Sequence, residues 1–190
     1  PLARNGFALI ANSGATGALG LVYWLLVARL YSAGDVGRAT AAYAAMNLLA
    51  GFTAQNFNGV LTRFIPRAGQ GTRSFIMRAY FVSALASVVV AVGFTATISR
   101  WGTTYSELSG RVTSVVFVGC VVSWAIFTLQ DSALIGLGSA TWVFVENALF
   151  GVAKIVLLSL FVSTLPHSFG IYVSWMVPAI AAIPLVNWLI

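Results

Sequence analysis

Residues 142–162 read WVFVENALFGVAKIVLLSLFV. The run is apolar and long enough to cross about 30 Å of hydrocarbon as a helix. It nevertheless holds Glu146, one of four acidic residues in the chain, and Lys154, its one lysine. Neither belongs in lipid without a partner, so what faces them separates a passive span from one that handles a solute.

The rest of the chain has the same character. Its 190 residues are 59% hydrophobic and 7% charged, with a mean hydropathy of +0.94. A single water-soluble core cannot bury that much apolar surface, so the solvent is a bilayer. Six apolar runs recur between short charged or Gly-rich breaks, at 6–30, 39–62, 75–98, 112–134, 142–164 and 170–190. Lipid offers no partner to backbone N–H and C=O groups, and the runs are too continuous for barrel strands, so each is expected to be a helix. The fold expected is all-α: one polytopic six-helix transmembrane lobe over 1–190. The first run is longer than a signal-peptide core and follows one basic residue, so it reads as a retained span. The last run reaches Ile190 without a polar flank, and the chain opens on Pro1. A piece of a longer protein is expected.

The net charge of +6 and pI near 10.1 come from arginines at the ends of the runs. There is no basic patch interleaved with aromatics, so nucleic acid is not the expected partner; anionic lipid headgroups are. Arg4, Arg63, Arg67, Arg73 and Arg78 fall on the N-terminal side of the membrane, against Arg29, Arg38, Arg100 and Arg111 on the other. The dense cluster in RFIPRAGQGTRSFIMR makes that side cytoplasmic by the positive-inside rule, with the N-terminus inside an inner (cytoplasmic) cell membrane. The one cysteine, Cys120, has no partner for a disulfide and reads as a small packing residue.

Short Gly, Ser or Pro-bearing connections predict antiparallel hairpins between successive spans. Gly14, Gly17 and Gly20 provide small surfaces for close helix contact, and Pro178 and Pro184 each remove a donor from the last span. Asn5, Asn12, Thr16 and Tyr23 share a face of the first span, within about 40°. Asn47, Gly51, Gln55, Asn58 and Thr62 share one face of the second, within about 80°, ending beside Arg63. Two readings of these stripes stand side by side: interhelical bonds acting as glue, and the wall of a wet cavity. Isolated Ser83, Ser87 and Ser123 read as glue, and the almost wholly apolar third span suits the lipid side.

Lys154 lies about 18 Å into its span, and a stem of about 6 Å does not snorkel from there to either surface. An ammonium at that depth costs about 2.5–3.5 kcal/mol. Water, a counter-charge or a ligand must meet it. Glu146 is about 12 Å away along the axis, too far to pair; Asp131 and Glu146 flank one loop and are expected to share a basic partner. The side of the fifth span bearing Asn147, Gly151 and Lys154 is expected to face the stripes of the first two spans across a hydrated, positive cleft.

The stretch NSGATGALGLVYWLLVARLYSAGDVGRATAAYAAMNLLAGFTAQNFNGVLTRFIPR resembles the opening hairpin of polysaccharide-biosynthesis flippases in the multidrug/oligosaccharidyl-lipid/polysaccharide exporter superfamily. The shared pattern is Ala28-Arg29-Leu30 closing the first helix, Asp35 and Gly37 in the loop, and Arg63 to Pro66 closing the second. LQDSALIGLGSATWVFVENALFGVAKIVLL is similar to that family's fourth and fifth helices, although IGLGSAT lacks the basic residues of a cytoplasmic loop. The resemblance implies two six-helix lobes around a central cavity, this chain being the N-terminal one, and rocking alternating access. It also implies a polyprenyl-diphosphate-linked saccharide as substrate. Lys154 and Arg63 would then hold phosphate, and Asn12, Gln55, Asn58 and Asn147 would meet sugar hydroxyls.

A second expectation is a cation-coupled antiporter of the multidrug and toxin extrusion type, for which Asp131 and Glu146 are the candidate coupling or gating acids. No catalytic set, metal-ligand spacing or cofactor motif emerges: GQGTR lacks the spacing of a phosphate-binding loop, and His167, the one histidine, reads as a surface residue. No enzyme, metal or cofactor is expected.

Overall fold

The six runs are six helices, joined by short turns, in a computed structural model that describes residues 2–165 and 167–190, and the backbone alone at 2–4, 103, 104, 167 and 189. The side chains of Arg4 and His167, which entered the sequence reading, lie outside that description. The helices are α1 (Leu2–Leu30), α2 (Ala33–Phe64), α3 (Thr72–Ala96), α4 (Arg111–Gly136), α5 (Ala140–Phe161) and α6 (His167–Leu189). Five are long and apolar enough to cross a membrane: all but α2, whose Asn, Gln and Thr residues lower its hydropathy. The chain is an all-α polytopic membrane protein.

α2 starts six residues before the apolar run does. Ser32 caps it, accepting from the Asp35 amide at 3.2 Å, an arrangement that satisfies an orphan donor of the first turn. Asp35 in turn pairs with Arg38 at 2.6 Å. Residues that read as a polar loop thus become helix because they neutralise and cap one another. Arg38 also reaches Glu107 at 2.7 Å, and Ser168 donates to Glu107 at 2.7 Å. This ties α2, the short 3-10 turn Thr103–Ser109 and α6 together at one end of the bundle.

Successive helices do not simply pair as hairpins. α1 packs mainly on α5 and α2 mainly on α4, while α1 and α2 scarcely touch. α4 is the central helix, with α2, α3 and α6 around it, and α3 turns Phe81, Leu85 and Val89 outward, as its apolar composition suggests. The small residues also act differently from expectation. A Cβ at Gly14, Gly17 or Gly20 would meet open space, whereas one at Gly151 would stand 2.6 Å from Leu19 Cδ1. The close α1–α5 approach therefore rests on Gly151. Cys120 is buried and free. Thr53 and Ser87 share a 2.7 Å hydrogen bond between α2 and α3, the glue role expected of Ser87. Gln130 donates to the Ile183 carbonyl at 2.9 Å, tying α4 to α6.

Candidate functional site

Because α1 leans on α5 and α2 on α4, an open groove of about 1000 Å³ runs along α2, with Trp24 of α1 at its edge. Asn47, Gly51 and Gln55, four residues apart on α2, line it, together with Asn56, Trp24 of α1 and Tyr43. Four-residue spacing brings a helix back to nearly the same face, so half of the α2 stripe becomes one polar wall. The other half does something else. Asn58 Oδ1 accepts from Ser132 of α4 at 3.0 Å, and the Thr62 hydroxyl bonds its own helix at the Asn58 carbonyl, 3.0 Å away. The lower half of the stripe thus acts as glue, while the upper half lines an open groove. Arg63 is exposed at the end of α2, its guanidinium 5.7 Å from the Phe64 ring centre.

The α1 stripe does not join this wall. Asn5 donates to the Gly138 carbonyl at 3.0 Å, Asn12 accepts from Thr16 of its own helix at 3.4 Å, and Tyr23 is buried. The Tyr23 hydroxyl donates to the Ile171 carbonyl at 3.1 Å and lies 2.8 Å from the Ser174 hydroxyl of α6.

Lys154 is 3% exposed, and its Nζ sits in a box of three rings: Trp175 with its centre 4.0 Å away, and Tyr23 and Phe150 each at 5.1 Å. Among the described residues it has no hydrogen bond or ion pair. A desolvated cation–π contact is worth about 2 kcal/mol, so the box offsets most of the burial cost of about 2.5–3.5 kcal/mol. The box meets the groove through the Tyr43 ring, 4.2 Å from that of Trp175. Trp124 completes the connection by donating to Asn47 Oδ1 at 2.6 Å, which fixes the amide in the groove wall.

This corrects the expected arrangement of α5. Its Asn147, Gly151 and Lys154 do not face a shared cleft with α1 and α2. Asn147 Nδ2 donates to both oxygens of Asp131, at 3.1 and 3.2 Å; Gly151 seats Leu19; Lys154 faces rings. Asp131 and Glu146 share no basic partner among the described residues either. Glu146 is buried, with neither carboxyl oxygen hydrogen-bonded. Of the candidate residues, the fold places Gln55 in the groove, Lys154 against Trp175, which reaches the groove only through the Tyr43 ring, Asn147 and Asp131 together, and Arg63 at a helix end. Asn12 and Asn58 bond elsewhere.

Trp24 and Tyr43, which line the groove, and Trp124 and Trp175, which pack on the Tyr43 ring behind it, escaped the sequence reading. They sit on four different helices, and the signal was their depth: a Trp within a span, away from the headgroup level it prefers, needs a partner for its N–H.

No protein-family model, curated protein or solved structure matches the chain.

Proposed function

We propose that this chain is the N-terminal lobe of a transporter that moves a polyprenyl-diphosphate-linked saccharide across the cell membrane by alternating access against a second six-helix lobe. The observation that carries the reading is the groove along α2, lined by Asn47, Gln55 and Asn56 beside Leu48 and Phe52, with the rings of Trp24 and Tyr43 alongside. Side-chain amides match the donors and acceptors of sugar hydroxyls, and flat aromatic rings cover the apolar faces of sugar rings. Arg63, exposed at the end of α2, is a guanidinium of the kind that pairs with a diphosphate and supports the reading. The resemblance of the first hairpin to polysaccharide-biosynthesis flippases points the same way. Arg63, Arg67, Arg73 and Arg78, all exposed near one end, favour that end as cytoplasmic.

The test is flipping of a labelled polyprenyl-diphosphate saccharide by the full-length protein in liposomes. Transport that falls on Gln55→Ala and on Arg63→Ala supports the reading; no transport by the native protein overturns it. A second reading, cation-coupled drug antiport, is favoured by one observation, the unpartnered carboxyl of Glu146. It would replace the first if Glu146→Gln abolished drug efflux while saccharide flipping was never detected.

A further inference from the structure

Glu146 is the polar group that packing leaves least explained. It is 7% exposed, and both carboxyl oxygens lack a donor among the described residues. An ionised carboxyl there would be an uncompensated charge in a dry interior. Its surroundings decide what it takes up instead. From α4 comes Asp131, whose carboxyl accepts from Asn147, the residue that follows Glu146 on α5. From α3 comes Tyr80, 6% exposed, its hydroxyl unpartnered and within the field of both acids. On α5 itself Lys154 is about 12 Å along the axis and turned into its box. Among the described residues, α1 and α6 bring it no charged group.

The two acids are held differently. Asp131 shares one N–H of Asn147 between its two carboxyl oxygens, the other going to the Val143 carbonyl at 3.0 Å, and it is partly exposed, so it is the better solvated of the two acids and open to water. Glu146 receives no such bond, while its stem lines an apolar pocket of about 260 Å³ between α5 and α6, beside Pro178. We propose that Asp131 and Glu146 form a proton-binding site, one exchangeable proton residing on Glu146 while Asp131 carries the negative charge. Loading forms one O–H bond on Glu146 from a hydronium that reaches Asp131, leaving water; release is the reverse. The site lies apart from the groove, and the proposal stands whatever the groove carries.

The test uses the full-length protein in liposomes and dicyclohexylcarbodiimide, a hydrophobic reagent suited to the apolar pocket. It adds to a protonated carboxyl: the acid proton moves to a carbodiimide nitrogen, the carboxyl oxygen bonds the central carbon, and an acyl shift leaves a stable N-acylurea with nothing expelled. Mass spectrometry of the peptide containing Glu146 should show this adduct at neutral pH, declining about tenfold per pH unit beyond its midpoint. Glu146→Gln should lack it. Asp131→Asn should carry less of it at a fixed alkaline pH, because the neighbouring negative charge that favours the proton is gone. Infrared absorption reads the same proton without reagent access, as a neutral-carboxyl C=O band that alkali bleaches and Glu146→Gln removes. A missing band, a band that survives at every pH, or labelling indifferent to Asp131→Asn would overturn the proposal.

Discussion

Replacing Lys154 by Met keeps an unbranched stem of similar volume and removes only the charge. Two terms then change in opposite directions. The membrane-depth cost of the ammonium, about 2.5–3.5 kcal/mol, disappears. The cation–π contacts disappear as well, led by Trp175 at 4.0 Å, a desolvated contact of about 2 kcal/mol. Tyr23 and Phe150 at 5.1 Å add smaller amounts. The difference is small, so Lys154→Met should shift stability by less than about 1.5 kcal/mol. The sharper quantity is the coupling. In a double-mutant cycle of Lys154→Met with Trp175→Leu, read by SDS-induced unfolding in mixed micelles, the interaction energy should be about 1–2 kcal/mol, since the two groups are in direct contact. A coupling near zero would refute the box as the ammonium's partner. So would a loss of more than about 3 kcal/mol from Lys154→Met alone, the size expected when a buried ion pair loses one member.

Gly151→Val should push α1 off α5, because even a Cβ would meet Leu19 Cδ1 at 2.6 Å; a loss of about 1–3 kcal/mol is expected, partly restored by Leu19→Ala in the same unfolding assay. Glu107→Gln should cost less than about 1 kcal/mol and the cost should shrink in high salt, because Arg38 and Glu107 are both substantially exposed. Ser87→Ala should cost about 0.6 kcal/mol, and no more than about 2, for its bond to Thr53 in the α2–α3 contact; Thr53→Ala in the double mutant should then add little.

The apolar runs were legible because bilayer thickness and backbone hydrogen bonding leave few options, and α4 and α5 lie close to the expected spans. The start of α2 was not, because Ser32, Asp35 and Arg38 look like a loop until each is seen to answer another. Lys154 was legible as a buried charge from its depth alone. Its partners were not, since Trp175, Tyr23 and Phe150 come from three helices, and their meeting depends on α1 choosing α5 over its chain neighbour α2. That choice also divides the α2 stripe, leaving Gln55 in the groove and giving Asn58 to Ser132. Spacing along one helix shows that these residues share a face; it cannot show where a neighbouring helix ends its cover.

The groove's standing as a water-filled substrate site is tested most directly by a cysteine at Gln55 in a Cys120→Ser background. In liposomes carrying the full-length protein, a membrane-impermeant maleimide applied to the side onto which the groove opens should label that cysteine, and a lipid-linked saccharide should protect it. A control cysteine at the outward, apolar Val89 of α3 should stay unlabelled. If the cysteine at position 55 resists the reagent from both sides of the membrane, the groove along α2 is filled with lipid or protein and holds no solute.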